Sequence, residues 1–324
     1  MGSLGAVLLV EARLARAQQP PKLSVQRAAV PHVGYLTPGS PRPNSEGFEL
    51  GLRDSGFVNG ESITIEYRAA EGKGERVSSL AQELAALRVE VIFAVSSAAL
   101  IAARKITSTI PTVGIDLESD PVASGFVKSL SRPGGNVTGI FLDLPEMAGK
   151  LLQLLQETLP RLQKVGILWQ TPYGDVQFRA TRTAAQKVGL TIRSLPVGGS
   201  DDLESAVNAA AGEKIGALVV LSSSMIFFNR VRIADLALRN RLPAISLFTS
   251  FPEAGLLLAY GPNLLDMFRR SGQYVARVLR GTRPADMPIE RPTKFDFVIN
   301  FKTAKALGLT IPPSLLQRAD QVIE

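Results

Sequence analysis

The chain has 324 residues, with 36 Lys and Arg against 29 Asp and Glu, a single His and no Cys. At ~150 residues per domain this length predicts about two compact units, and the missing Cys and lone His exclude disulfides, thiol nucleophiles, iron–sulfur ligation and histidine-rich metal cages. The net charge of +7 is spread along the chain among interleaved acidic residues, with 6% aromatics, so no nucleic-acid interface is expected.

At the N-terminus an apolar run from Leu4 to Val10 is too short for a bilayer span of ~20 residues, but it suits the core of a signal peptide. Ala15-Arg16-Ala17 is a small-x-small cleavage pattern, and the polar Gln18-Gln19-Pro20-Pro21 suits the start of a mature chain. Residues 1–17 are therefore expected to be a signal peptide, in degenerate or truncated form, since no basic residue precedes the run and Glu11 ends it. The alternative is a plain N-terminal helix.

From residue 30 onward short apolar runs alternate with amphipathic stretches, the pattern of βαβ units and a parallel sheet. A first strand at 33–36 leads into Thr37-Pro38-Gly39-Ser40, and Asn44 starts a helix with Phe48 and Leu52 on one face. Ile63, Ile65 and Tyr67 alternate as a second strand; Val77, Leu80, Ala81 and Leu84 form the apolar stripe of the next helix. Strands at 89–95, 111–115 and 137–141 complete a five-stranded first unit, with an alanine-rich helix at 98–106 after Ser96-Ser97.

The rhythm then restarts. A helix at 147–158, strands at 165–169, 191–195, 217–221, 244–248 and 256–260, and helices at 177–188, 203–211 and 228–240 make a second unit of similar size. One further helix runs from about 263 to 279 and one further strand from 294 to 301. The expected fold is α/β: two doubly wound parallel-sheet lobes joined by crossovers, with 28–141 plus 262–292 in lobe 1 and 142–261 plus 293–324 in lobe 2.

No Gly-x-Gly-x-x-Gly fingerprint, phosphate loop or Gly-x-Ser-x-Gly elbow is present. His32 falls near the start of the first strand, away from the strand tips where ligands gather in α/β sheets, so it is read as structural. No catalytic residue, metal site or cofactor is expected. The candidate ligand residues are polar or aromatic groups at strand ends: Thr37, Ser40, Ser96, Ser97, Asp116, Glu118 and Asp120 in the first lobe, and Trp169, Tyr173, Ser222, Ser223, Phe248 and Tyr260 in the second.

Ser96 and Ser97 precede a helix whose first N–H groups attract a carboxylate, although simple capping explains them equally. Asp116, Glu118 and Asp120 suit an ammonium group, acid–base chemistry or helix capping. Trp169 and Tyr173 offer flat walls for a ring; Phe248 reads as core or as wall.

Several ordered segments add a family likeness. They are Val33-Gly34-Tyr35-Leu36 with Pro38-Gly39-Ser40, Ile65-Glu66-Tyr67-Arg68, Ile115-Asp116-Leu117-Glu118-Ser119-Asp120-Pro121-Val122, Arg132-Pro133-Gly134-Gly135-Asn136-Val137-Thr138-Gly139, Pro292-Thr293-Lys294-Phe295, and the run from Asn300 to Pro313. Over about residues 30–324 the chain resembles the substrate-binding proteins of bacterial ABC transporters, tryptophan/tyrosine-type branch, with the type I periplasmic-binding fold.

The resemblance implies that two lobes close over a small ligand, an amino acid or an aromatic or carboxylated compound, and deliver it to ABC permease subunits. A periplasmic, exported monomer is expected, touching the membrane only through its permease and binding no nucleic acid. In the expected mode the ligand carboxylate sits near Ser96 and Ser97, its amine toward Asp116 or Glu118, and Trp169 or Tyr173 covers its apolar part. The rival is an α/β hydrolase or transferase using Asp116, Glu118 and Asp120. A sugar-type transcription-regulator effector domain is a third reading, disfavoured because no helix-turn-helix fits before residue 30.

Overall fold

In the computed structural model, which describes residues 30–41 and 44–324, the first apolar run forms β1 (His32–Thr37), five of its six residues buried. The proposed signal segment and the cleavage pattern lie outside the described residues. Strands β2 (Thr64–Ala69), β3 (Val91–Val95), β4 (Thr112–Asp116) and β5 (Val137–Phe141) join β1 in a parallel sheet of order β2-β1-β3-β4-β5. Its middle strand β3 is apolar along its whole length, and β1 and β4 are apolar between their ends, because helices cover both faces. These are α1 (Ser45–Asp54), α2 (Val77–Ala86) and α3 (Ser97–Ile106).

After α4 (Leu144–Thr158) the order repeats. Strands β6 (Lys164–Gln170), β7 (Thr191–Val197), β8 (Ala217–Val220), β9 (Ala244–Ser246) and β10 (Leu258–Pro262) are arranged β7-β6-β8-β9-β10, the first sheet's pattern again. Helices α5 (Asp175–Lys187), α6 (Asp202–Gly212), α7 (Ser224–Phe228), α8 (Arg230–Arg239) and α9 (Ser250–Glu253) connect them. Five strands were expected here with one more to follow; the sheet has seven. β11 (Phe295–Asn300) adds antiparallel to β10, and β12 (Gln321–Ile323) adds parallel to β11 after α11 (Phe301–Leu307) and α12 (Pro313–Arg318).

Two boundaries differ from expectation for local reasons. α4 begins a turn early because the Asp143 carboxylate accepts from the Glu146 N–H and Pro145 occupies the first turn, where its missing N–H costs nothing. The helix expected at 228–240 is two pieces, since Ser223 caps an earlier start and the chain leaves helical geometry at Asn229.

The segment after β10 forms α10 (Leu264–Leu279), capped by Asn263 accepting from the Asp266 N–H at 2.9 Å. It packs on α1 and on β3, β4 and β5. The two helices meet backbone to backbone: a Cβ on Gly51 would lie 1.8 Å from the Arg269 carbonyl oxygen, and one on Gly272 would lie 2.2 Å from that of Phe48. Arg291 then ties the returning chain to the end of β5, donating from Nη1 to the carbonyls of Phe141 (3.0 Å) and Leu142 (2.6 Å).

Candidate functional site

The carboxyl ends of the two sheets face one another across a cavity of about 140 Å³, measured to the centres of a water-sized sphere. On that measure one water needs ~10–15 Å³ and an apolar cavity of ~150 Å³ holds benzene, so the space suits a small ring. Thr37, Gly39 and Ser40 after β1, Val95 and Ser96 after β3, and Ile115, Leu117 and Glu118 around the end of β4 form one side. Ser222, Ser223 and Ser224 after β8, Phe227 and Phe228 of α7, and Phe248 after β9 form the other. Asn44, Leu264 and Phe268 complete the wall.

Seven of the expected residues are therefore brought together: Thr37, Ser40, Ser96, Glu118, Ser222, Ser223 and Phe248. The position of each follows from its strand. Ser222 is locked by Gln177, whose amide donates to the Ser222 carbonyl at 2.8 Å and accepts from its N–H at 3.1 Å. Ser223 accepts from the Ile226 N–H as the cap of α7. Thr37 Oγ1 accepts from the Gly39 N–H at 3.1 Å and so turns the loop over the cavity.

Ser96 is held at φ +87° and ψ 162°, a region that favours glycine. Its N–H donates to the Ile115 carbonyl, whereas its buried hydroxyl oxygen has no hydrogen-bond partner among the described residues. A buried hydroxyl without a partner among the described residues, on a strained backbone at a cavity wall, carries an energetic cost that the surrounding fold has to offset.

The other expected residues lie elsewhere. Asp116 is fully buried behind the wall and accepts from the Ser97 hydroxyl (2.8 and 2.9 Å), from the Glu118 N–H (2.8 Å) and from the Ser119 hydroxyl. Ser97 is thus turned toward Asp116 and away from the cavity. Asp120 caps the following turn, accepting from the N–H groups of Val122 and Ala123. Trp169 stacks on Phe178 with ring centres 4.9 Å apart and donates from Nε1 to Ser194.

Tyr173 lines a separate depression with Ser97, Arg104 and Pro172. Tyr260 stacks on Phe295 near the crossovers, in another depression beside Lys150 and Arg291. His32 sits at the start of β1 with Nδ1 3.3 Å from Glu66.

The three carboxylates of the rival hydrolase do not converge. Of the three only Glu118 lines the cavity, and Asp120 is spent as a cap. Among the described residues no cluster of three or more His, Asp or Glu is placed to hold a metal ion.

The sequence reading missed the apolar walls of α7 and α10. Phe227 meets Phe248 edge to face at 5.3 Å, and Phe268 meets Phe93 edge to face at 5.8 Å. Phe228, 41% exposed, reaches across to lobe 1, where a Cβ on Gly39 would lie 3.4 Å from its ring. Their signal was present as Met225-Ile226-Phe227-Phe228 directly after three serines, but the helix was expected to begin only at Phe228.

Among the described residues, Glu118 is the one carboxylate or basic side chain on the cavity wall. Burial, then the charge of neighbouring Asp116, pushes the Glu118 carboxyl up to about 8, against the lowering effect of the nearby Ser97 hydroxyl and N–H dipoles. Burial likewise raises Asp116, to about 6, with the Ser119, Glu118 and Ser97 donors opposing. Two buried carboxyls side by side resist sharing two negative charges.

A two-lobed α/β molecule whose strand tips enclose a small apolar cavity with one carboxyl is built as a ligand-binding protein. Residues 40–323 match the family model of the ABC transporter substrate binding proteins, and the chain belongs to that family. A tyrosine-binding protein of Clostridioides difficile strain R20291 is 26% identical over 268 residues, 82% of this chain and 76% of that protein. Among solved structures, an ABC domain of Streptococcus pneumoniae in complex with L-Trp is 25% identical with a TM-score of 0.83, covering 90% of this chain and 99% of that one. The ligand-free, open structure of a Clostridium difficile substrate-binding protein with adhesive properties is 27% identical, with a TM-score of 0.67 and 91% and 99% coverage.

Proposed function

We infer that this substrate-binding protein captures a small aromatic ligand carrying an amino group, an amino acid or a related compound, between its lobes. The ring lies among Phe227, Phe228, Phe248 and Phe268, the amino group faces Glu118, and Ser96 supplies a hydroxyl. This replaces the expected covering by Trp169 or Tyr173 and the expected carboxylate at Ser97. The protein acts without catalysis, as an exported periplasmic monomer that contacts the membrane through its ABC permease and binds no nucleic acid. Lobe 1 comprises 28–141 with 262–292, and lobe 2 comprises 142–261 with 293–324.

The observation that carries the reading is the cavity lined from both sheets, with Phe228 set against Gly39. A ligand favours the closed arrangement only through extra affinity for it, which requires contacts from both lobes. In support, this chain superposes better on the L-Trp complex than on the ligand-free open relative of similar identity.

A thermal-shift screen of amino acids and aromatic compounds tests it. A ligand at ~100 times its Kd adds about 2.7 kcal/mol, roughly 4 °C in Tm for a chain of this size. Phe228→Ala should remove most of that shift while leaving the Tm of the empty protein within a few degrees, because the side chain is half exposed. A full shift retained in the variant would place the ligand elsewhere.

A further inference from the structure

The site that would receive an amino acid's carboxylate is already filled by one of the chain's own. Helix α3 spans Ser97–Ile106, and the free N–H groups of its first turn form its anion-attracting end. There the Ser97 hydroxyl donates to Asp116 at 2.8 Å, and the buried Glu118 carboxyl lies next to that pair. Ser96 Oγ, shielded from solvent and without a partner among the described residues, is left beside Glu118 on the cavity wall.

No Lys or Arg lines the cavity among the described residues. Several charged groups of the surrounding elements are paired with one another. On α10, Asp266 pairs with Lys294, Arg269 with Asp54 and Arg270 with Glu290. Beyond α7, Arg230 lies over the ring of Phe227, 5.0 Å from its centre, and donates to that residue's carbonyl; it is not among the lining residues. On α3 the first ionisable residues are Arg104 and Lys105, in its last turn. A ligand carboxylate in the cavity would face Glu118, backed by buried Asp116, with no opposing cation among the described residues, whereas an ammonium would meet Glu118 and the electron-rich faces of phenylalanines.

Resting on the reading above, that an aromatic ligand sets its amino group on Glu118, we propose that the cleft selects a protonated arylalkylamine: a ring and a primary ammonium, without a carboxylate. Binding pairs the ammonium with ionised Glu118, so the proton this carboxyl holds near neutral pH passes to solvent. Amine affinity therefore rises with pH between about 6 and 8, where Glu118 becomes ionised. A carboxylated ligand would show the reverse trend.

Isothermal titration calorimetry at pH 6 and pH 8 tests this with three pairs: L-phenylalanine and 2-phenylethylamine, L-tyrosine and tyramine, L-tryptophan and tryptamine. The expected result is at least one pair in which the amine binds tenfold or more tightly than its parent amino acid and binds more tightly at pH 8. Glu118→Gln should then cost the amine tenfold or more while circular dichroism and Tm remain those of a folded protein. If that variant fails to fold, the pH trend of the native chain decides.

Amino acids binding as tightly as or more tightly than their amines in every pair, or amine affinity falling with pH, overturns the proposal and leaves ligand capture standing. No binding of any of the six overturns both readings. Arg42, between Ser40 and Asn44 in sequence, lies outside the described residues. Arg42→Ala should leave the ratio of amine to amino-acid affinity unchanged; a tenfold rise in that ratio would reveal a carboxylate partner and overturn the proposal.

Discussion

Ser96 concentrates the cost of the site in one residue. A non-glycine residue at φ +87° and ψ 162° carries on the order of 1–3 kcal/mol of backbone strain, and its buried hydroxyl adds the penalty of an unmade hydrogen bond. Both costs disappear in Ser96→Gly, although glycine returns some entropy to the unfolded chain. The variant should therefore be more stable than the native chain by about 1 kcal/mol in urea unfolding, and should bind the ligand found by the screen more weakly by about tenfold. An unchanged affinity would mean that the hydroxyl serves the fold alone. Neither property is legible in the sequence, where Ser96-Ser97 reads equally as a ligand contact and as a simple helix cap. The tertiary contact that turns Ser97 toward Asp116 leaves Ser96 to face the cavity.

At the scale of elements, the contact between α1 and α10 holds the late segment on the first sheet. Phe268 reaches the cavity wall and Phe93 only because the two helix backbones touch at Gly51 and Gly272. A methyl group at either position would collide with main-chain atoms that cannot rotate aside, so the helices must separate. Gly272→Ala should destabilise the protein by about 2–3 kcal/mol in denaturant unfolding, at the upper end for overpacking. It should also weaken ligand binding through displaced Leu264 and Phe268, whereas Gly149→Ala in α4, half-buried with open space at its Cβ, should leave binding unchanged. A Gly272→Ala protein of native stability would show that the close approach is not rigid. The amphipathic pattern of α10 was readable, as Met267, Phe268, Ser271, Tyr274, Val275 and Val278 share its buried face. Its partner helix, some 215 residues earlier, was not.

For the whole molecule, the buried pair Asp116 and Glu118 links folding to pH. Each carboxyl has a higher pKa folded than unfolded, so between about pH 4 and pH 8 the folded chain holds more protons than the unfolded one. Stability contributed by the neutral carboxyls is complete below the unfolded values, near pH 4, and is lost as pH rises through about 6 and then about 8. The ligand-free protein should lose on the order of 3 kcal/mol between pH 5 and pH 8.5 from this pair, a figure that follows from ~1.4 kcal/mol per pKa unit, discounted for relaxation. Chemical unfolding across that range checks it, and Glu118→Gln should flatten the slope. A slope of the same size in the variant would assign the effect to other groups.

Alternation of buried strands with amphipathic helices was enough to determine two α/β units in the sequence, because periodicity depends only on which residues meet water along each element. The ends of those strands were legible for the same reason, and with them Thr37, Ser40, Ser96, Glu118, Ser222, Ser223 and Phe248. Choosing among strand-end groups was beyond sequence reasoning. Trp169 and Tyr173 follow one strand as plausibly as Phe227 and Phe228 follow another, and only the facing of the two sheets decides that Trp169 stacks on Phe178 while Phe228 reaches Gly39. The roles of the acidic residues were likewise decided in three dimensions. Three carboxylates within five residues look equivalent along a chain, but burial behind Ser97, exposure to the cavity and capping of a turn give Asp116, Glu118 and Asp120 different surroundings, and a carboxyl's chemistry follows its solvation and its hydrogen-bond donors.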